Sequence, residues 1–146
     1  MAVVNKRLTV HEIFTLVGEA KTRTEKVEIL QKYNELAIRD ILKGSFDDTI
    51  EFIIPKGIPP YQEALDHEAG NIRNKRTKVF RYFAKGGPGE RMARVKVEGM
   101  FIKLLESVHK EDAKIVIAMK DKKLQGMYKG LTKKAVQEAF PTLISK

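Results

Sequence analysis

Apolar residues recur at helical spacing along most of this chain. Thr9-Val10-His11-Glu12 fits a capping box, and Leu8 and Ile13 are placed to close a hydrophobic staple across it. Ile13, Phe14, Leu16 and Val17 continue as one apolar face, so the spacing predicts a helix over about residues 10–20. A second helix starts near Thr24, with Val27, Ile29, Leu30 and Tyr33 as its apolar positions and Glu25 and Glu28 at its positive end. Asn34 is the expected cap of a third. Leu36, Ala37, Ile38, Ile41 and Leu42 face inward there, and Gly44 is the expected stop.

The run Thr49 to Ile54 is β-branched and aromatic, the composition of a short strand or an extended segment. No second such run follows for it to pair with, so a helical turn or extended connector is the expectation. Asp47, Asp48 and Glu51 are three acids within five residues; caps and turns explain them better than a metal site does. Pro55, Gly57, Pro59 and Pro60 then break regular structure, and the acidic stretch to Glu68 extends the break as far as Gly70. This connector, residues 55–70, divides a single domain (1–146) into an N-terminal helical half, 1–54, and a C-terminal half, 71–146.

Asn71 to Lys85 is helical by spacing: Ile72, Val79 and Phe83 fall within about 20° of one another at 100° per residue. Phe80 and Tyr82 flank that stripe, Lys78, Arg81 and Lys85 lie opposite, Arg73 and Lys75 sit at the margins, and Arg76 falls in the apolar sector. Gly86-Gly87-Pro88-Gly89 reads as a helix–helix connector. A phosphate-cradling loop would need a preceding strand and a Lys-Ser/Thr pair. From Glu90 to Val108 two apolar stripes predict a central helix buried on two sides. Its first turns carry Arg91, Arg94 and Lys96 against the helix dipole, a conflict that a bound anion would relieve. One further helix is expected from Ala113 through Tyr128, closed by Gly130, and a last short one capped by Thr132 and stopped by Pro141. The fold class is therefore all-α, with about seven helices.

Charge changes this picture more than composition does. The formal net charge is +9, and its distribution is uneven. Residues 1–68 hold 9 Lys/Arg against 12 Asp/Glu, residues 69–103 hold 10 against 2, and residues 104–146 hold 9 against 5. The middle segment alone carries a balance of +8. Segregation of this kind is the footprint of an anionic partner. There is no cysteine, which excludes disulfides, thiol catalysis and Cys-ligated metals and fits a reducing interior. No signal peptide is visible, and the longest apolar run, Ile115 to Met119, is too short to span a bilayer; a soluble intracellular protein without a membrane partner is expected.

Candidate chemistry is sparse. His11, His67 and His109 lack ligand spacing and read as surface or capping residues. Nucleophile-elbow, zinc-protease and dinucleotide patterns are missing, so no catalytic residue, metal or cofactor is assigned and a non-enzymatic role is expected. Gly126, Gly130, Leu131, Thr132 and Val136 partly match a helix-turn-helix, with Lys129, Lys133 and Lys134 beside the second helix. The spacing of Leu124 is off by one, however, and the second helix is short.

Several runs resemble a family of small proteins of T4-like tailed bacteriophages, including cyanophages. They are Glu25 to Leu30, Leu42 to Asp47, Pro59-Pro60-Tyr61, Met100 to Glu106, Lys120 to Leu124, Tyr128 to Thr132 and Val136 to Pro141. The resemblance implies a phage protein made in the cytoplasm of a bacterial host, and it brings no catalytic residues with it. The leading expectation is sequence-independent binding of DNA or RNA through Arg73, Lys75, Arg76, Lys78, Arg81, Lys85, Arg91, Arg94 and Lys96, with Lys129, Lys133 and Lys134 secondary. The alternative is a module that docks on an acidic face of host machinery, such as polymerase, ribosome or a defence protein. Phe83 belongs to the apolar stripe, which leaves Tyr82 and Phe80 as the aromatics eligible to stack on bases.

Overall fold

A computed structural model describes residues 8–65, 72 and 76–144, and the side chains of Arg76 and Thr77 are not among what it describes. The described residues form seven α-helices and two 3-10 segments. The helices are α1 (Val10–Glu19), α2 (Arg23–Lys32), α3 (Leu36–Phe46), α4 (Arg94–Ser107), α5 (Lys110–Lys120), α6 (Leu124–Met127) and α7 (Lys133–Ala139). The 3-10 segments are Arg76–Phe83 and Pro88–Arg91. The all-α expectation holds, and none of the described helices is long and apolar enough to cross a membrane.

Local chemistry sets the helix starts. The Thr9 hydroxyl accepts from Glu12 N–H while the Glu12 carboxylate accepts from Thr9 N–H, so the capping box forms as spelled. Thr22 and Thr132 cap α2 and α7 through the hydroxyl, which accepts from Glu25 N–H and Ala135 N–H. The expected cap at Asn34 shifts to Glu35. Gly44 does not stop α3 but lies inside it, buried where a Cβ would meet Met119 Sδ at 2.7 Å. Its smallness serves the approach of α5, not a helix end.

One hydrophobic core draws on both halves of the chain. Phe14, Ile38, Leu42, Phe83, Phe101, Leu105, Ile115 and Met119 are all fully or almost fully buried in it. The central helix is α5, not α4 as the two stripes predicted: every residue from Ile115 to Lys120 is buried, and α1, α3 and α4 pack around it. The expected long helix from Glu90 divides at Met92-Ala93 into a 3-10 turn and α4, and Val95 on α4 is 82% exposed. The helix expected through Tyr128 also breaks, at Asp121 to Lys123, where Lys122 takes φ 60°.

Lysines close helix ends from inside. Lys26 is buried, and its ammonium donates to Val17 O (2.7 Å), Ala20 O (2.7 Å) and Lys129 O (3.0 Å), which terminates α1 and fastens the turn before α7. Gly130, at φ 77°, leaves room for that side chain: a Cβ there would strike Lys26 Cε. The Asp112 carboxylate does the converse job at helix starts. Lying in the first turn of α5, it accepts from the backbone N–H of His11 (3.2 Å) in the first turn of α1, and its Oδ2 is buried without a hydrogen-bond partner.

The connector is extended, and it is fastened. Lys120 donates to Pro55 O (2.7 Å) and Gly57 O (3.0 Å) and pairs with Asp121, whose other oxygen accepts from Gly57 N–H (3.1 Å). Farther along, Gln62 N–H donates to Glu106 (2.8 Å). Residues 55–62 are thereby laid along α4 as a strap. At the end of α3, Asp47 accepts from the Thr49 N–H (2.9 Å) and hydroxyl (2.6 Å), the turn role expected for that acid. The rest of the connector, residues 66–70, lies outside the described residues.

Candidate nucleic-acid interface

The stretch expected as an α-helix over Asn71–Lys85 is a 3-10 helix where it is described, Arg76–Phe83. With three residues per turn, positions 78 and 81 stack one above the other on one edge. Its C-terminal end is held by the run that had no visible pairing partner in the sequence. Phe52 and Ala84 form an isolated antiparallel bridge, flanked by Ile53 N–H to Phe83 O (2.7 Å) and Lys85 N–H to Glu51 O (2.8 Å).

That pairing brings Phe52 beside Phe80 and Ala84. With Ile50 and Gly44 they enclose a cavity of about 590 Å³, and Lys78 and Arg81 reach its rim from the 3-10 helix while Asp40 and Lys43 reach it from α3. The cations here have different commitments. Lys43 donates to Asp47 (3.2 Å) and to Leu143 O (2.9 Å). Lys122 lies 5.4 Å from the Phe52 ring centre and donates to Gly44 O (2.6 Å) and Asp47 O (3.1 Å); burial pulls its pKa below the usual lysine range. Lys78 and Arg81 are exposed and make no ion pair with the described residues, although the Arg81 guanidinium lies 5.2 Å from the Tyr82 ring centre.

Lys85 is committed. It pairs with Glu51 at 2.9 Å, and the hydrogen bond and charge between them hold the Glu51 pKa down and the Lys85 pKa up. Arg91, Arg94 and Lys96 are exposed, make no ion pair with described residues and lie across the Gly86–Gly89 turn, outside the cavity lining. The turn is tight because a Cβ on Gly89 would collide with Tyr82 O and one on Gly87 with Arg81 O. Glu90 accepts from Gly86 N–H (2.8 Å), which supports a connector role for the glycines. Arg91 belongs to the short 3-10 segment, so Arg94 and Lys96 alone occupy the uncapped first turn of α4. Arg73, Lys75 and the Arg76 side chain lie outside the described residues, as does His67.

The secondary lysines form no helix-turn-helix: α6 is a single turn and α7 has seven residues, too short for a recognition helix across a groove. Lys133 and Lys134 instead line a separate hollow of about 440 Å³ with Arg23, and Lys133 pairs with Asp48 (2.9 Å) while Arg23 pairs with Glu138 (3.2 Å). The Lys129 side chain is exposed. Two histidines remote in sequence also meet. His11 Nδ1 bonds Asp112 (2.9 Å), and its ring stacks on that of His109 at 4.6 Å, while His109 caps α5 by accepting from Glu111 N–H. Among the described residues no group of three His, Asp or Glu is placed to hold a metal ion.

Sequence reasoning missed Phe52, Lys43 and Asp40 as cavity residues. The one available signal was the aromatic at the centre of an extended run with no partner strand.

The profile of a family described as "Family of unknown function (DUF6433)" matches residues 13–126. The chain belongs to DUF6433. No curated protein and no solved structure matches it. The DUF6433 span contains the whole cavity together with Arg91, Arg94 and Lys96, and it ends before Lys129, Lys133 and Lys134.

Proposed function

We propose that this DUF6433 protein is a non-enzymatic phage accessory protein of the bacterial host cytoplasm that binds nucleic acid, independently of sequence, through the basic face of residues 76–96. The observation that carries the reading is the cavity rim. Lys78 and Arg81 stand without acidic partners among the described residues over an apolar floor that includes Phe52 and Phe80. Cations on a rim supply phosphate contacts, and an aromatic floor accepts an unstacked base, so the arrangement favours an unpaired strand over a duplex. Arg91, Arg94 and Lys96 extend the phosphate track across the glycine turn. The phage origin rests on the family resemblance.

Fluorescence anisotropy with labelled single-stranded and duplex oligonucleotides across a salt series tests this. Binding should weaken steeply with salt, with a log–log slope of about −3 to −4 if roughly five phosphates are engaged by a single strand. Lys78→Glu with Arg81→Glu should weaken single-strand binding by about tenfold or more. Absence of binding to either oligonucleotide at low salt refutes the proposal.

A further inference from the structure

The hollow between α2 and α7, of about 440 Å³, shares no lining residue with the cavity under Lys78 and Arg81 and differs from it in chemistry. Four cations line it, Arg23 and Lys26 from α2 and Lys133 and Lys134 from α7. Thr132 and Gln125 add a hydroxyl and an amide, and Gly130 completes the wall without a side chain. Among the described residues no carboxylate and no aliphatic or aromatic side chain lines it.

Two acids reach these cations from outside the lining. Glu138 pairs with Arg23 (3.2 Å) and Asp48 with Lys133 (2.9 Å). The side chains of Glu138 and Asp48 are 49% and 87% exposed, and surface pairs of this kind are weak and rearrange readily around a bound anion. Setting each acid against its cation leaves two of the four charges unmatched, those of Lys26 and Lys134. Lys134 is exposed and makes no ion pair with described residues.

Lys26 is only 7% exposed, and its ammonium spends its three hydrogens on the carbonyls of Val17, Ala20 and Lys129. The carbonyls at the end of α1 offset part of the charge. No carboxylate among the described residues pairs with it, whereas the other buried lysine, Lys120, has Asp121 beside it. A buried cation without a counter-ion is costly, and an anion in the adjoining hollow would supply one.

The lining also selects among anions. A phosphate monoester carries about −1.5 to −2 at neutral pH, which matches two unmatched cations, while a lone carboxylate brings −1. A nucleobase or an apolar side chain would find no surface here to pack on. The volume lies towards the small end of ligand pockets, about 300–1,000 Å³, enough for a phosphoryl group and the polar group that bears it.

We infer that this hollow is a binding site for a phosphate monoester. Arg23, Lys133, Lys134 and the Thr132 hydroxyl contact the phosphoryl oxygens, and the buried Lys26 adds charge from behind them. The site does not depend on the base-accepting cavity. Its phosphoryl group comes either from a free small molecule or from the 5′ end of a strand.

Nuclear magnetic resonance titration of the full chain with inorganic phosphate, at constant ionic strength, tests this. Backbone amide shifts should saturate at Gly130, Thr132 and Lys134 with a Kd of about 1 mM or below, and acetate should bind about tenfold or more weakly. Lys134→Gln should weaken phosphate about fivefold or more. Lys103→Gln, which makes the same change of net charge on α4, should stay within about twofold. Glu138→Gln should tighten binding about twofold or more by releasing Arg23, a gain that a purely structural Arg23 would not give. Oligonucleotides with and without a 5′-phosphate then separate the sources in a Lys78→Glu, Arg81→Glu background. A preference of about tenfold for the phosphorylated strand, lost with Lys134→Gln, assigns the group to a strand end. No preference, with inorganic phosphate still saturating, assigns it to a free phosphate ester. The inference is overturned if the phosphate shifts do not saturate, if acetate binds equally well, or if Lys134→Gln and Lys103→Gln act alike. Failure of oligonucleotides to bind at the first cavity leaves this test unaffected, since inorganic phosphate carries no base.

Discussion

Replacing Lys26 with methionine keeps the length of a side chain that fills the space over Gly130 and removes three charge-assisted hydrogen bonds. Bonds from a charged donor are worth about 1.5–3 kcal/mol each, but their loss is not simply additive. The carbonyls of Ala20 and Lys129 are in partly buried bonds and can turn to water, so each costs about 1 kcal/mol or less. The bond to Val17 O is buried, and stranding that carbonyl costs about 1–3 kcal/mol. Against these stands the relief of an ammonium that no longer has to leave water, so the net destabilisation is about 2 kcal/mol. With a urea m-value of about 2 kcal/mol/M for a chain of this size, the unfolding midpoint should fall by about 1 M. Urea unfolding followed by circular dichroism reads this directly. A midpoint that stays within about 0.2 M of the parent, or rises, refutes the view that Lys26 terminates α1.

The remaining predictions concern other fastened points. Tyr128 packs against Phe14, and burial, with the charges of Glu111 and Asp112, pushes its phenol up to about 12. Because the folded value exceeds the unfolded one, the neutral phenol stabilises the fold below about pH 10, and that contribution disappears as pH rises towards 12. After discounting for partial exposure it amounts to about 1 kcal/mol. Tyr128→Phe should lose the highest step of a tyrosinate absorbance titration and flatten the alkaline stability curve; an unchanged titration refutes the assignment. Asp121→Ala should destabilise by about 3–5 kcal/mol in urea unfolding, because it leaves the buried Lys120 ammonium without its counter-charge. Adding Lys120→Met should recover part of that loss, and no recovery would show that the pair is not the origin of the cost.

Much of the fold could be read from local chemistry. Thr9 with Glu12, and Thr132 before Val136, specify helix starts within four residues of themselves, and such signals do not depend on the rest of the chain. The 3-10 course of Arg76–Phe83 was not legible, because eight residues are too few to separate a period of 3.0 from 3.6. Its cause lies elsewhere: Phe83, Ala84 and Lys85 pair with Glu51 to Ile53, and Gly87 and Gly89 press against its backbone. The exposure of Val95 was illegible for a similar reason, since an apolar residue on a helix does not state which helix faces it. At the candidate site the cations were visible as a charge surplus. The cavity was not, because much of its lining comes from α3 and from Ile50 and Phe52 in the extended run after it, about 30 to 40 residues earlier in the chain.

The charged groups withdrawn from water have a bearing on how this molecule looks from outside. Among the described residues those buried are three aspartates (Asp47, Asp112, Asp121) and two lysines (Lys26, Lys120). The interior therefore keeps a formal −1, so the described residues outside it carry one more positive charge than the described residues taken together. Acids act as internal fasteners here, and their removal from the surface leaves the basic segment less diluted by neighbouring carboxylates. What an approaching polyanion meets is more cationic than an isoelectric calculation implies.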